Sequence, residues 1–295
     1  MSPLSPQAAV SADAGARDAT AQPAASWFNA EGFLAGLKRV SVFCGGFGAG
    51  KTEVAVNFCL RMRELGRRVS IADLDIVNLY FRSREVREQL RGQGIEVIVP
   101  AGALANADLP IIIPEIRGAI EGQSSNEETR MTIEARSTNE ARGEVPLVVL
   151  DLGGDPAGAK VMASLAGAMR PEDYSSFFVL NSRRPFTATV EAAKRMMDGI
   201  SAAAGIRVER IVVNSHLIDE TTPAVIEEGI ALGEGLARAT GARIAFVAVQ
   251  RDMLERFDAD KCGHPVMVLD RLMLKPWEPS NWLGKYRIGN DEVVN

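Results

Sequence analysis

Residues 39–52 read Arg39-Val40-Ser41-Val42-Phe43-Cys44-Gly45-Gly46-Phe47-Gly48-Ala49-Gly50-Lys51-Thr52. The first six form a short run rich in β-branched and apolar side chains, and the apolar periodicity of 52–65 is that of a helix. Between them lies G-x-x-x-x-G-K-[ST], placed after an expected strand and before an expected helix, the two contexts that give this motif meaning. Closely spaced glycines let successive backbone N–H groups curl around an anion with no Cβ in the way, and the following helix aims its N-terminal donors at the same point. Gly45, Gly46, Phe47, Gly48, Ala49, Gly50, Lys51 and Thr52 are therefore expected to cradle a nucleotide's phosphates. Lys51 would neutralise the β and γ phosphates and the Thr52 hydroxyl would ligate Mg²⁺.

Working outward, the same rhythm continues. Apolar runs at 39–44, 68–72, 95–99, 146–150, 176–180, 208–213 and 243–247 are separated, in most cases, by helical stretches such as 52–65, 83–91, 187–204 and 223–240. Runs without strict alternation suit strands buried on both faces. The expected fold is a doubly wound α/β domain, with a mainly parallel sheet and helices on both faces.

A phosphate cradle needs carboxylates to hold its metal. The run Leu147-Val148-Val149-Leu150 ends in Asp151-Leu152-Gly153-Gly154, and a second acidic pair, Asp73 and Asp75, ends the run at 68–72 and precedes Asn78. All strand C-termini of a parallel sheet share one rim, so Lys51, Asp73, Asp75 and Asp151 should meet there. Asp73 and Asp151 join Thr52 as expected metal-shell residues, and the Gly154 N–H as a sensor of the γ-phosphate.

The flanks differ in composition. Residues 1–26 carry nine alanines and three charges with no apolar periodicity, and read as a disordered tail ahead of one domain spanning 27–295. Residues 121–144 hold six glutamates and three arginines in a Glu-x-Arg pattern of period six, matching neither helix nor strand, and read as a solvated low-complexity insertion. The 33 Lys+Arg against 38 Asp+Glu give a formal charge of -5, which disfavours a nucleic-acid partner. Cys44, Cys59 and Cys262 are far apart and form no disulfide or metal pattern, as expected in a reducing cytoplasm. No apolar run reaches the ~18 residues of a membrane span. The run at 266–274, interrupted by Asp270 and Arg271, is weighed as a membrane-surface helix and, lacking the lysine-rich polar face of one, reads as a packed core element. His216 is weighed as a base-pocket residue against a structural one; His264 is given no role.

The motifs at 45–52, 72–78 (A-D-L-D-I-V-N), 147–154 (L-V-V-L-D-L-G-G) and 211–214 (I-V-V-N) occur in the order that resembles the MinD/ParA-like branch of P-loop NTPases. The resemblance covers roughly Arg39 to Asp252 and implies ATP and Mg²⁺ as cofactors. It also implies that Asp75 orients the attacking water, that Asp151 lies in the metal shell, and that Asn214 contacts the base. Guanine readers of the N-K-x-D type place an aspartate three positions after the asparagine, where this chain has Leu217, so adenine is expected. One departure stands out: members that dimerise around nucleotide carry a second lysine where this chain has Gly46. Arg82, Arg183 and Arg184 are the candidate substitutes.

The reading that follows is a cytoplasmic, Mg²⁺-dependent, slow ATPase acting as a nucleotide switch on a protein partner, with a homodimer also compatible. The alternatives are an ATP-dependent ligase that activates a carboxylate, and a nucleotide-binding module with negligible turnover.

Overall fold

The computed structural model describes residues 30–75, 84–98, 109–122, 146–154 and 156–272. The tail at 1–26, Asn78, Arg82, Asp155 and all but the first two residues of the 121–144 segment lie outside the described residues. Glu121 and Gly122 belong to the end of a helix and its turn.

The strands are β1 (Val40–Cys44), β2 (Val69–Leu74), β3 (Ile95–Val97), β4 (Leu147–Leu152), β5 (Tyr174–Leu180), β6 (Arg210–Val213), β7 (Arg243–Gln250) and β8 (Val266–Leu269). They form one sheet in the order β3-β2-β4-β1-β5-β6-β7-β8. Every pairing is parallel. The helices are α1 (Ala30–Ala35), α2 (Lys51–Glu64), α3 (Arg84–Gly92), α4 (Leu109–Glu121), α5 (Pro156–Leu165), α6 (Val190–Ala204) and α7 (Pro223–Thr240).

Strand alternation builds two cores. Val40, Val42 and Cys44 of β1 point with Leu150, Leu152 and Leu180 into a layer closed by Ile116 of α4, Met162 of α5, Met197 of α6 and Ile226 of α7. Phe43, Ile71, Val149 and Phe177 face the opposite layer, closed by Val54 and Phe58 of α2 and Leu90 of α3. There Phe43 stacks on Phe177 with ring centroids 4.8 Å apart. With both faces covered, the strands are apolar at most positions, with small buried serines such as Ser41, Ser70 and Ser175 among them, which is why they read as mostly apolar runs.

The chain progresses leftward from β1 to β2 and β3, returns to β4, then crosses β1 to β5 and continues to β8. This reversal opens a crevice at the C-terminal ends of β1, β4 and β5, where open α/β sheets bind ligands. The run at 266–274 contributes β8, an edge strand that periodicity did not distinguish from a helix. Helices α4, with Pro114 inside it, and α5 were not singled out in the sequence either. Among the described residues no helix is long and apolar enough to cross a membrane.

Candidate functional site

The loop between β1 and α2 turns through three positive-φ glycines: Gly45 at 150°, Gly48 at 71° and Gly50 at 83°. At Gly45 a Cβ would lie 2.5 Å from the Val179 carbonyl oxygen, so no other residue fits between β1 and β5. Gly50 is also the N-cap of α2, and among the described residues no side chain caps that helix. Helices α6 and α7 differ: Thr189 Oγ1 accepts from the Ala192 N–H, and Thr222 Oγ1 from the Val225 N–H. The helix aimed at the crevice thus keeps its N-terminal donors open to an anion.

Lys51 is buried and its Nζ donates back across the loop to the Gly46 carbonyl at 3.3 Å. Thr52 Oγ1 donates to Asp151 Oδ2 at 2.5 Å, joining the first turn of α2 to the end of β4. Asp151 is 0% exposed, and its second oxygen, Oδ1, has no hydrogen-bond partner among the described residues. Burial pushes its carboxyl up to about 6; Thr52 and Lys51 pull against this and Asp75 adds to it. Asp73 lies opposite Asp151 in the β2–β4 register, and its Oδ1 accepts from the Asp75 N–H at 2.9 Å, so Asp73 shapes the turn that presents Asp75.

The segment after β4 is pressed against both neighbours. A Cβ on Gly153 would meet Asp75 Oδ1 at 3.3 Å, and one on Gly154 would meet the Phe47 nitrogen at 2.8 Å. All four groups expected from the sequence to share the rim, Lys51, Asp73, Asp75 and Asp151, are buried, with Asp151 bonded to Thr52, Asp73 opposite it in register and Asp75 against Gly153. Sequence reasoning placed them; it did not foresee that Asp73 would be engaged by backbone.

The partnerless buried oxygen of Asp151 and the Thr52 hydroxyl on its twin are hard oxygen donors, and they fit Mg²⁺, which takes one or two carboxylates and fills its shell with water and phosphate oxygens. Among the described residues no three acidic, His or Cys side chains form a metal cage of their own.

Asn214 directly follows β6 and is buried, with Nδ2 donating to the Ala49 carbonyl at 2.8 Å. His216 lies two residues on: its Nε2 is 3.3 Å from where a Cβ on Gly50 would sit, and Nδ1 is buried without a partner among the described residues. Burial, with help from the charges of Arg184 and Arg271, pushes its pKa down to about 4, so the ring is neutral near pH 7. Cys44 has its thiol pushed up to about 12 by burial and stays protonated, as a packing residue does. His264 pairs with Glu234 at 3.1 Å, remote from the crevice.

Gly46 is covered by α6. A Cβ there would lie 2.7 Å from the Met196 sulfur, a contact with no local signature in the chain. The two adjacent arginines part company. Arg183 is exposed and pairs with Glu228 of α7, whereas Arg184 Nε donates to the Gly48 carbonyl at 2.7 Å.

A glycine-rich strand–loop–helix beside a strand ending in a buried aspartate, on an all-parallel sheet, is the P-loop NTPase fold. Neither a family model nor a curated protein matches the chain. Among solved structures it is similar to FtsY from Mycoplasma mycoides, at 16% identity and a TM-score of 0.47 over 80% of this chain and 69% of that one. It is similar to cell division protein FtsY from Thermotoga maritima at 15% identity and a TM-score of 0.47, over 76% of this chain and 67% of that one. A third is the signal recognition particle 54 kDa protein from Aeropyrum pernix K1 in complex with GDP, at 16% identity and a TM-score of 0.44, over 71% of this chain and 41% of that one. Likenesses this distant assign no nucleotide, activity or partner to this chain.

Proposed function

We propose that the chain is a Mg²⁺-dependent ATP-binding protein that hydrolyses ATP slowly and acts as a nucleotide switch on a protein partner. The observation that carries this reading is the bond from Thr52 to Asp151 beside a glycine-rich loop, with Asp151 Oδ1 left without a partner among the described residues. Such an oxygen is costly to bury unless a ligand completes it.

In this reading the backbone of 45–50 and the N-terminus of α2 bind the phosphates, and Lys51 leaves the Gly46 carbonyl to neutralise them. Thr52 and Asp151, with Asp73 behind, would hold Mg²⁺, which supplies charge neutralisation of the phosphate oxygens. Asp75, held against Gly153, orients the attacking water. Asn214 lies between the phosphate loop and the base side of the crevice, and the absence of a carboxylate at Leu217 supports adenine over guanine.

The switch reading draws support from the surface. The exposed large hydrophobic residues among those described are Phe47, Phe186, Leu217 and Ile218, and all belong to the loops after β1, β5 and β6. Apolar side chains on the loops that touch nucleotide suit a partner whose affinity depends on that nucleotide.

Thermal unfolding with and without millimolar Mg·ATP tests the reading. At about 100 times its dissociation constant the ligand adds roughly 2.7 kcal/mol, and Lys51→Ala should abolish the gain. An unchanged wild-type melting curve would remove the proposal. Competition between ADP and GDP tests the base, and equal or tighter GDP binding overturns the adenine assignment.

A further inference from the structure

We propose that Arg184 is a catalytic arginine supplied in cis, delivering to the phosphate loop at Gly48 the positive charge that Gly46 does not provide. The inference rests on the nucleotide reading above and adds to it a residue and a task.

Three observations place the guanidinium. Its Nε donates to the Gly48 carbonyl at 2.7 Å. Its Cζ and Nε lie 3.1 Å, and Nη2 3.4 Å, from where a Cβ on Gly48 would be, so the group lies flat on the side of the loop that glycine leaves open. Its charge is also felt by His216, whose ring borders Gly50. The guanidinium therefore lies against the loop at Gly48, three residues before Lys51. Among the described residues Nε is the nitrogen that bonds, and Nη1 and Nη2 keep their donors.

The loop that carries Arg184 is built to hold it. Asn181 is fully buried and organises the turn: its Oδ1 accepts from the Arg183 N–H at 2.9 Å, and its carbonyl from the Arg184 N–H at 3.2 Å and from Thr187 Oγ1 at 2.7 Å. Its Nδ2 donates to the His216 carbonyl at 3.3 Å, and Ser215 Oγ accepts from the Ser182 N–H at 3.0 Å, tying this loop to the one after β6. Arg183 is turned outward to Glu228, so only its neighbour reaches the phosphate loop. A cation fixed before the reaction costs no reorganisation during it, and this preorganisation is the main contribution a protein makes to phosphoryl transfer.

In the step concerned, a water oxygen bonds to the γ-phosphorus as the bond from that phosphorus to the β,γ-bridging oxygen breaks. The bridging oxygen keeps the electron pair and leaves as part of ADP, while one water proton stays on the released phosphate and the other goes to solvent. Arg184 offsets the negative charge that grows on these oxygens.

The test uses the full chain as wild type, Arg184→Ala, Arg184→Lys and the outward-facing control Arg183→Ala. Single-turnover Mg·ATP hydrolysis should fall by about 10²–10³-fold in Arg184→Ala, with ADP affinity and melting temperature held. Arg184→Lys should recover part of the rate, and Arg183→Ala should match wild type. Aluminium fluoride, which mimics the transferring phosphoryl group, should tighten ADP binding in wild type and not in Arg184→Ala. Parallel loss of ADP affinity, stability and rate in Arg184→Ala would reduce the residue to a prop for Gly48 and overturn the inference. So would fluoride-dependent tightening that survives the substitution, or that is missing from an ADP-binding wild type. A wild-type protein that binds no ADP at all sinks the nucleotide reading itself, a separate result.

Discussion

Asn214 and Ala49, 165 residues apart, are joined by a 2.8 Å hydrogen bond from the asparagine amide to the alanine carbonyl. The end of β6 is thus fastened to the phosphate loop, one residue before the glycine that caps α2. Asn214→Ala leaves a buried carbonyl short of a donor, which costs about 1–3 kcal/mol. Urea unfolding should show that loss, and ADP affinity should fall with it. Unchanged stability would mean the bond contributes nothing to the fold.

Asp151 gives the opposite sign. Its carboxyl is raised to about 6 in the fold, above the ordinary aspartate value, so its contribution is favourable in acid and is lost as pH rises through about 4 to 6. At pH 7.5 the ligand-free protein holds a buried charge, and Asp151→Asn, which can still accept from Thr52, should be about 1–2 kcal/mol more stable. The same variant should lose the Mg²⁺-dependent part of its nucleotide binding. Calorimetry with and without Mg·ATP checks both halves, and a less stable ligand-free variant would contradict the account.

His216 carries the acid-side dependence. Its pKa is depressed to about 4 by burial and by Arg184 and Arg271, so stability is complete above about 6.5 and declines as pH falls toward 4. Asp151 shifts the other way in an overlapping range, so the wild-type curve alone mixes the two. The difference between wild type and His216→Gln isolates the histidine and should change by about 2–3 kcal/mol between pH 7 and 4. A flat difference would place the ring in solvent.

Gly46→Lys, the substitution that restores the missing lysine, meets Met196 first. A Cβ there lies 2.7 Å from the sulfur, so the variant should lose about 1–3 kcal/mol by overpacking, and Met196→Ala should recover part of that. Melting temperatures of the two single variants and the double variant form the test. A Gly46→Lys protein as stable as wild type would show that the methionine moves aside freely.

Much of this molecule was legible along the chain. The glycines of 45–50, the β-branched run before them and the uncapped helix after them are local matters, because φ preference, strand propensity and capping act over a few residues. The buried strands announced themselves as continuous apolar runs, and Asp73, Asp75 and Asp151 followed because every parallel strand ends on the same rim.

Tertiary structure decided what local pattern cannot encode. Arg183 and Arg184 are the same residue type side by side, and only the turn organised by Asn181 sends one to Glu228 and the other to Gly48. The start of the run at 266–274 was apolar enough for a helix or a strand, and Val266–Leu269 became β8 by pairing with β7. Met196 covers Gly46 and Asn214 braces Ala49 only when α6 and β6 have packed, for a side chain's distant partner is set by the path of the whole chain and not by its neighbours in sequence.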